Sequence, residues 1–515
     1  MSFVDALKSR IGVQVLCVAV CGVALCLFFL ISVATIINPH GLEMSEGEIF
    51  APAMNLAAGK QIYGGQVIFE PPYHYAAYGP WYYVLTGSLL KFAGLAYWPG
   101  RLLSFVATIG TAALIFRFIW NRYALLLPSI IAATIFIMLP PVWSYGNIQR
   151  VDALGVFFSV LALYLASTPA ARRWRFFLAG GAIALAFLTK ATLVAAAAAI
   201  IVCLVLAGRL KQLLLVSFGA ILVLSSAEGL LLLTANHDYW INALYLGQLP
   251  YSARSALIVL RGMAQSQTLV ATVMVIVLWL AIDKPPFRLS NNIEQFLPLF
   301  YFVISAFIGL VTSGNSGGTA NYYYEFCAAL AICGGLGLAS LMKSDYHGAR
   351  IAATLVVAAL FFELLLFRSS SIQGKVLMPR IKNPVYERIL QDLNTLVPPG
   401  EPVAGGYPHL VLEAGRQPYF NDISMYQIGP SEFTSVLNDC LVERRLAAVL
   451  SVTEHPISGY KLVRRNHYKS LVLSGSENFP GPLLYLREDL WDRWAASLNA
   501  PAMTNQRDSR PVSQY

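Results

Sequence analysis

The chain has 515 residues, 57% of them hydrophobic and 12% charged, with a mean hydropathy of +0.60 and a formal net charge of +9. A soluble globular protein carries about twice that charged fraction. The apolar residues also fall in long runs, so the composition specifies a polytopic membrane protein. The basic residues sit mostly beside those runs, where positive charge sets topology, and this excludes nucleic acid as the partner.

The first apolar run, Ile11 to Ile37, is too long for the core of a signal peptide and has no small-residue cleavage pattern, so it is expected to remain as a span. Further spans are expected near 102–119, 123–143, 153–168, 176–189, 191–207, 213–233, 264–282, 295–312, 322–341 and 350–367, about eleven in all. The run Trp81 to Trp98 is ambiguous, because it holds Gly87, Lys91 and Gly94 and follows a loop rich in Pro and Tyr. Charge decides it. If that run does not cross, Arg117, Arg122, Arg172, Arg173, Arg175, Arg209, Lys211, Lys284, Arg288, Lys343 and Arg350 all face the cytoplasm with Lys8 and Arg10. The run is therefore read as a juxtamembrane or re-entrant helix within a large first outer loop, residues 38–100. Six of the seven cysteines lie in apolar runs and only Cys440 does not, so neither a disulfide framework nor a cysteine metal site is expected.

The transmembrane module is expected to end at residue 367. From 368 charged residues become frequent. "NPVYERILQDLNTLVPPGEPV" reads as helix, Pro-Gly turn and strand, and "PSEFTSVLNDCLVERRLAAVLSV" as a second helix and strand. Residues 368–490 are accordingly expected to form a small extracytoplasmic α/β domain, followed by a polar tail, 491–515.

With this sidedness the unusual polar residues collect on the outer face: Glu46 and Glu48, Arg150 and Asp152, Lys190 in "FLTKATLV", and "TSGNSGGTANYYYEF" with Asn321, Tyr322 and Glu325. Carboxylates and cations beside a bilayer surface suit a lipid-linked phosphate and a sugar. A cation can neutralise a phosphodiester, an aromatic face can carry a sugar ring, and a carboxylate can take a proton from a hydroxyl. In "EMSEGEIFAPAMNLAAGK", Ser45 and Glu48 read as a capping box, and Ile49, Phe50, Ala53, Met54 and Ala57 as the apolar face of a short helix lying on the membrane. Glu46 has no cap to make. Its bland reading is a carboxylate that favours the helix dipole.

Several segments in order along the chain, "SEGEIFAPAMNLAAGKQIY", "YHYAAYGPWYYVLTGSLLKFAG", "GRLLS", "RVDALGVFFSVLALYLA", "LTKATLVAAAAA", "GTANYYYEFCAAL" and "PVAGGYPHLVLEAGRQPYFND", resemble the GT-C glycosyltransferases. The similarity is to the family-39-like bacterial branch, related to protein O-mannosyltransferases and lipid A aminoarabinose transferases. It implies a multi-pass protein of the bacterial inner membrane that moves a sugar from a polyprenyl-phosphate donor to an acceptor hydroxyl at the periplasmic face. It also implies an acidic general base in the first outer loop, here Glu46, and a second acidic residue in the second outer loop, here Asp152. Many relatives carry Asp-Glu in the first loop, whereas this chain has Ser45-Glu46.

Glu46 and Asp152 are thus the catalytic candidates, and Glu48, Arg150, Lys190, Asn321, Tyr322 and Glu325 the substrate-binding ones. Each has a structural alternative: a salt bridge between Arg150 and Asp152, snorkelling for the cations, an interfacial belt for the tyrosines. Lys190 stands out because a lysine between two apolar runs is costly. No metal ligand set is assigned, and a divalent cation at Glu46 and Asp152 is left open. The acceptor class is also open: glycan, lipid or protein. The competing readings are a lipid or sugar transporter or flippase, disfavoured by the absence of an inverted repeat, and a non-catalytic partner in envelope-polysaccharide assembly.

Overall fold

The computed structural model describes residues 10–499, except for 168–171, 234–237, 284–292, 316, 344–346, 367–383, 406, 422–425, 427–428, 452–456 and 464–482. The expected boundary near 368, the cations Lys284 and Arg288, and residues 500–515 of the expected tail lie outside the described residues, whereas 491–499 of that tail are helical, continuing a helix that starts at Glu488.

Each apolar run expected to span falls largely in helix, but the 123–143 run is broken at Leu139, the 264–282 run at Gln265 and Ser266, and the 191–207 run becomes helical only at Ala195. In chain order the helices are α1 (Arg10–Ile37), α2 (Met44–Ala57), α3 (Gly65–Phe69), α4 (Pro80–Ala93), α5 (Trp98–Tyr123), α6 (Leu126–Met138), α7 (Pro140–Tyr145), α8 (Val151–Ala166), α9 (Arg173–Thr189), α10 (Ala195–Leu206) and α11 (Leu210–Leu233). They continue with α12 (Tyr239–Gly247), α13 (Ala253–Ala264), α14 (Gln267–Asp283), α15 (Ile293–Thr312), a 3-10 turn (Ala320–Tyr323), α16 (Tyr324–Lys343) and α17 (His347–Leu366). Among the described residues, four helices are long and apolar enough to cross a bilayer: α1, α5, α11 and the one from Ala320 to Lys343. A fifth crossing is available if α13 and α14, bent by 85°, act as one. The other apolar helices are shorter. At 14 residues α4 is only about 21 Å long, short of a hydrocarbon core of about 30 Å.

Helix α16 is the centre of the bundle. It is buried over 83% of its apolar window, against 11% for α11 at the periphery. It packs on α5, α6, α8, α14, α15 and α17. Large apolar side chains such as Phe29, Leu30, Leu214, Phe218 and Ile221 point outward and are half exposed or more, which suits a lipid surround. Helices α9 and α11 cross almost in backbone contact. A Cβ on Gly180 would lie 1.9 Å from the Val216 carbonyl oxygen, and one on Gly219 2.0 Å from that of Phe177. Small residues at such crossings are how helices associate where solvent gives no hydrophobic drive.

The remaining described residues hold α18 (Pro384–Leu396), β1 (Val403–Gly405), α19 (Pro408–Glu413), α20 (Ser431–Val442), β2 (Ala448–Ser451), β3 (Tyr460–Leu462), β4 (Leu483–Arg487) and α21 (Glu488–Asn499). The sheet order is β1-β2-β4-β3, with β1 parallel to β2 and the other pairs antiparallel. This unit is seated on the segment between α1 and α4. The Tyr73 amide donates to the Tyr419 carbonyl (2.8 Å), and the Asn421 side chain bonds both backbone groups of Tyr75 (2.6 and 3.0 Å). Glu413 accepts from the Gly41 amide and contacts His40 Nδ1, both at 2.8 Å. Pro408 and His409 fill the space over Gly47, where a Cβ would meet the His409 amide nitrogen at 2.5 Å.

Two expectations for α2 are corrected here. The helix starts at Met44 with Glu43 as N-cap and no side-chain cap bond, so Ser45 and Glu48 form no capping box. The Ser45 hydroxyl is instead drawn to Glu43 and Arg150. Nor does α2 present a single stripe to a surface: Ser45 to Gly47 and Ile49 to Ala53 are all buried, between α4 on one side and α19 on the other.

Candidate active site

The two ends of the bundle differ in chemistry. At one end the Asn121 amide donates to the Tyr164 hydroxyl, Arg175 lies over Tyr164, and Lys343 lies over Tyr123. Arg173, Arg209 and Lys211 line one groove. Along α5 this end is roughly 33 Å from Arg101, at 1.5 Å per residue. The other end, where α5, α8 and α16 begin and α9 finishes, carries the carboxylates, and two buried networks form there.

The first network is closed. Arg101, in the first turn of α5, donates Nε to Glu46 Oε1 (2.9 Å) and Nη2 to Glu46 Oε2 (2.8 Å). Its other three N–H bonds go to the carbonyls of Thr35, Asn38 and His40. Glu46 completes its coordination with the amides of Leu42 (2.7 Å) and Gln149 (2.9 Å). All five guanidinium donors and both carboxylate oxygens are thus in use, and both side chains are 0% exposed. Burial opposes ionisation of Glu46, but the Arg101 guanidinium and the two amides outweigh it and hold the carboxyl below its ordinary range. Glu46 therefore ties together the α1–α2 link, α5 and the segment before α8. No face of it is open to a substrate.

The second network holds most of the other candidates. Asp152, in the first turn of α8, accepts from Lys190 Nζ (2.7 Å), Arg150 Nε (3.2 Å) and Asn321 Nδ2 (3.2 Å). The Arg150–Asp152 bridge expected as the bland alternative is present, but it is one contact of three. Arg150 Nη1 reaches both oxygens of Glu43 (2.8 and 3.0 Å) and Ser45 Oγ (2.9 Å), and its guanidinium carbon stands 4.6 Å over the Tyr145 ring. Lys190 lies 4.2 Å over Tyr322 and 5.9 Å from the Tyr78 ring. Thr319 fixes the Asn321 amide, and the 3-10 turn carries Asn321 and Tyr322 to the cations. Two carboxylates and two cations make a neutral set. Asp152 and Lys190 are nearly inaccessible, whereas the Glu43 side chain is 24% exposed and reaches solvent.

The remaining candidates separate. Glu48 is half-buried, and its charge acts on the Tyr78 hydroxyl along with those of Arg150 and Asp152, so it borders this network. Glu325 makes no hydrogen bond within this network among the described residues: its Oε1 accepts from the Ala196 amide (3.2 Å) at the start of α10, a helix-end contact, and its charge acts on nearby Lys190. Of the three tyrosines at 322–324 only Tyr322 meets a cation; Tyr323 and Tyr324 are 2% and 1% exposed and packed. Glu228 is half-buried and accepts from Trp240. Among the described residues, no three of His, Cys, Asp and Glu come together as metal ligands.

Sequence reasoning passed over Glu43, Arg101, Tyr78 and Tyr145. The available signal was an arginine directly abutting the 102–119 apolar run on its outer side, where an unpaired cation is costly.

No family model and no curated protein matches the chain. Solved structures do. ArnT from Cupriavidus metallidurans bound to undecaprenyl phosphate superposes with a TM-score of 0.60 over 90% of this chain and 97% of that one, at 11% identity. The same protein in the apo state gives 0.57 at 12% identity over the same shares. AglB, the oligosaccharyltransferase of Archaeoglobus fulgidus, in complex with an inhibitory peptide and a dolichol-phosphate, gives 0.50 at 14% identity over 84% of this chain and 69% of that one. ArnT, a lipid A aminoarabinose transferase, and AglB are both GT-C glycosyltransferases. The chain has the GT-C glycosyltransferase fold.

Proposed function

We propose that this protein is a membrane glycosyltransferase that moves a sugar from a polyprenyl-phosphate donor to an acceptor hydroxyl, inverting the anomeric centre. The observation that carries the proposal is the Asp152–Lys190–Arg150–Glu43 network at one end of a bundle of this fold. The undecaprenyl phosphate and dolichol-phosphate bound by the two structural relatives support the donor class. In this reading the bundle crosses the inner membrane eleven times, with the network, the 38–100 segment and the sheet-bearing unit in the periplasm.

Lys190 and Arg150 meet the donor phosphate and offset the charge that grows on it as it leaves. Asp152 and Asn321 hold Lys190 in place, and Tyr322 and Tyr78 wall the cation. Glu43 takes the proton of the acceptor hydroxyl as its oxygen bonds to the anomeric carbon and the bond from that carbon to the phosphate oxygen breaks. The base is reassigned from Glu46 because Glu46 has no free oxygen and Glu43 has solvent access. Glu46 is a positioning residue.

The test is mass spectrometry of envelope glycolipids and polysaccharides from a deletion strain, complemented with wild type, Glu43→Gln or Lys190→Met. One sugar substituent should vanish on deletion, return with wild type and stay absent with both variants. An unchanged envelope in the deletion strain overturns the proposal. Full restoration by Glu43→Gln moves the base elsewhere.

A further inference from the structure

Between the 55–74 segment and the sheet-bearing unit lies a separate cavity of about 220 Å³. Its lining includes Asn55, Gln61, Gln66, His74 and Gln417. Lys60 and Glu70 stand on its rim, exposed. The Asn55, Lys60, Gln66 and Glu70 side chains make no hydrogen bond or ion pair among the described residues, so their donors and acceptors are unspent. His74 is 5% exposed, with Nε2 3.4 Å from Gln417 Nε2 across the seam between the two units. Burial, helped by nearby Lys60, pushes its pKa down to about 4, so the imidazole is neutral at ordinary pH. Side-chain amides and a neutral imidazole, flanked by one cation, one carboxylate and the apolar Val67, Pro71 and Pro72, present paired donors and acceptors beside an apolar wall, the complement of a sugar ring's hydroxyls and C–H face. The volume falls below the roughly 300–1,000 Å³ of pockets for drug-sized ligands, and suits one sugar ring.

A chain of hydrogen bonds through the wall links this cavity to the candidate active site. Gln61 Nε2 donates to the Tyr63 carbonyl (2.7 Å), the Tyr63 hydroxyl donates to the Tyr78 carbonyl (2.8 Å), and the Tyr78 ring faces Lys190. From His74 to Tyr78 the backbone spans at most about 14 Å. The walls are fixed to each other by the Tyr73–Tyr419 and Tyr75–Asn421 bonds.

We propose that this cavity is an acceptor subsite that binds an internal sugar of a saccharide chain whose terminal hydroxyl reaches the network at Lys190. The inference rests on the transferase reading and narrows its acceptor to a glycan. The subsite contributes binding and takes no part in the chemistry, so it acts on acceptor affinity alone.

The experiment incubates the purified full-length protein with metabolically labelled membranes of the deletion strain, which hold unconsumed donor. Polysaccharide, simple-lipid and protein fractions of the same strain serve as acceptors. Label should enter the polysaccharide fraction. The double variant Gln66→Leu/Gln417→Leu, both exposed positions, should raise the half-saturating concentration of that fraction about ten-fold. Donor KM and kcat at saturation should not change, and Tm should fall only slightly, because buried His74 loses its Gln417 contact. Label confined to the lipid or protein fraction overturns the subsite and leaves the transferase reading standing, and so does an unmoved half-saturation in the double variant. No label in any fraction overturns the transferase reading and the subsite with it.

Discussion

Replacing Glu46 by Gln separates a structural carboxylate from a catalytic one. In the wild type, four donors converge on its two oxygens: two from Arg101 and one each from the Leu42 and Gln149 amides. The substituted side chain would keep one acceptor oxygen. Whichever way its amide turns, the NH₂ group faces two N–H donors, one of them from a guanidinium that is 0% exposed. Removing one partner of a buried ion pair costs about 3–5 kcal/mol, because the remaining charge stays buried and uncompensated. For a chain of 515 residues, with an unfolding entropy of about 2.1 cal/mol/K per residue, the fall in Tm is about 3–5 °C. The assay is thermal unfolding of the detergent-purified variant, with transfer measured per folded molecule below the lowered Tm. The expected result is a large loss of stability, with the rate per folded molecule within a few-fold of wild type. Glu43→Gln should do the reverse. Its 24% exposed side chain pairs with Arg150, which keeps Asp152 as a second partner, so the loss of stability is smaller than for Glu46→Gln, while loss of a general base lowers the rate by about 10²–10⁴-fold. A Glu46→Gln protein with unchanged Tm and no transfer would refute the argument and return the base to Glu46.

Three further outcomes follow from the contacts. Lys190→Met removes the 2.7 Å partner of Asp152 and a cation of the phosphate site; transfer should fall at least 100-fold, measured at saturating acceptor. Gly180→Ala should lower Tm, since its Cβ meets a backbone oxygen at 1.9 Å and overpacking costs about 1–3 kcal/mol, whereas Gly181→Ala, with its nearest neighbour at 3.5 Å, should leave Tm nearly unchanged. His40 has its pKa raised, first by its hydrogen bond to Glu413. A raised histidine stabilises the fold below its ordinary value of about 6.5, and the gain disappears as pH rises through the raised folded value. The Tm gap between wild type and His40→Gln should therefore be present at pH 6 and close at alkaline pH, and a gap that widens with pH would contradict the contact. His40 is half-exposed, so the gap is small.

The helices were legible because their signal is local. An apolar run and its basic flanks can be read within about 20 residues, and the runs expected to span fall largely in helices, although those at 123–143 and 264–282 are broken. The helix-turn-strand pattern at Pro384–Gly405 was legible for the same reason. So were Asp152, Lys190, Asn321 and Tyr322, as polar residues at the edges of apolar runs, and they meet in one network.

The roles within that network were decided by partners far away in sequence. Glu46 and Glu43 lie three residues apart in one segment and look alike. Glu46 is sealed by an arginine 55 residues on, and Glu43 is turned toward one 107 residues on. Glu325 was grouped with the site by its neighbours in sequence, yet its carboxylate accepts from the amide of Ala196, 129 residues earlier, in the first turn of a helix. The capping box at Ser45 and Glu48 fitted the local pattern, but a buried guanidinium offers the Ser45 hydroxyl a stronger partner than a backbone amide does. The sequence by itself determined where the helices lie and which polar residues stand at their ends. Only the tertiary structure decided which carboxylate is closed and which is open, because ion pairing and burial depend on chain packing that no local pattern encodes.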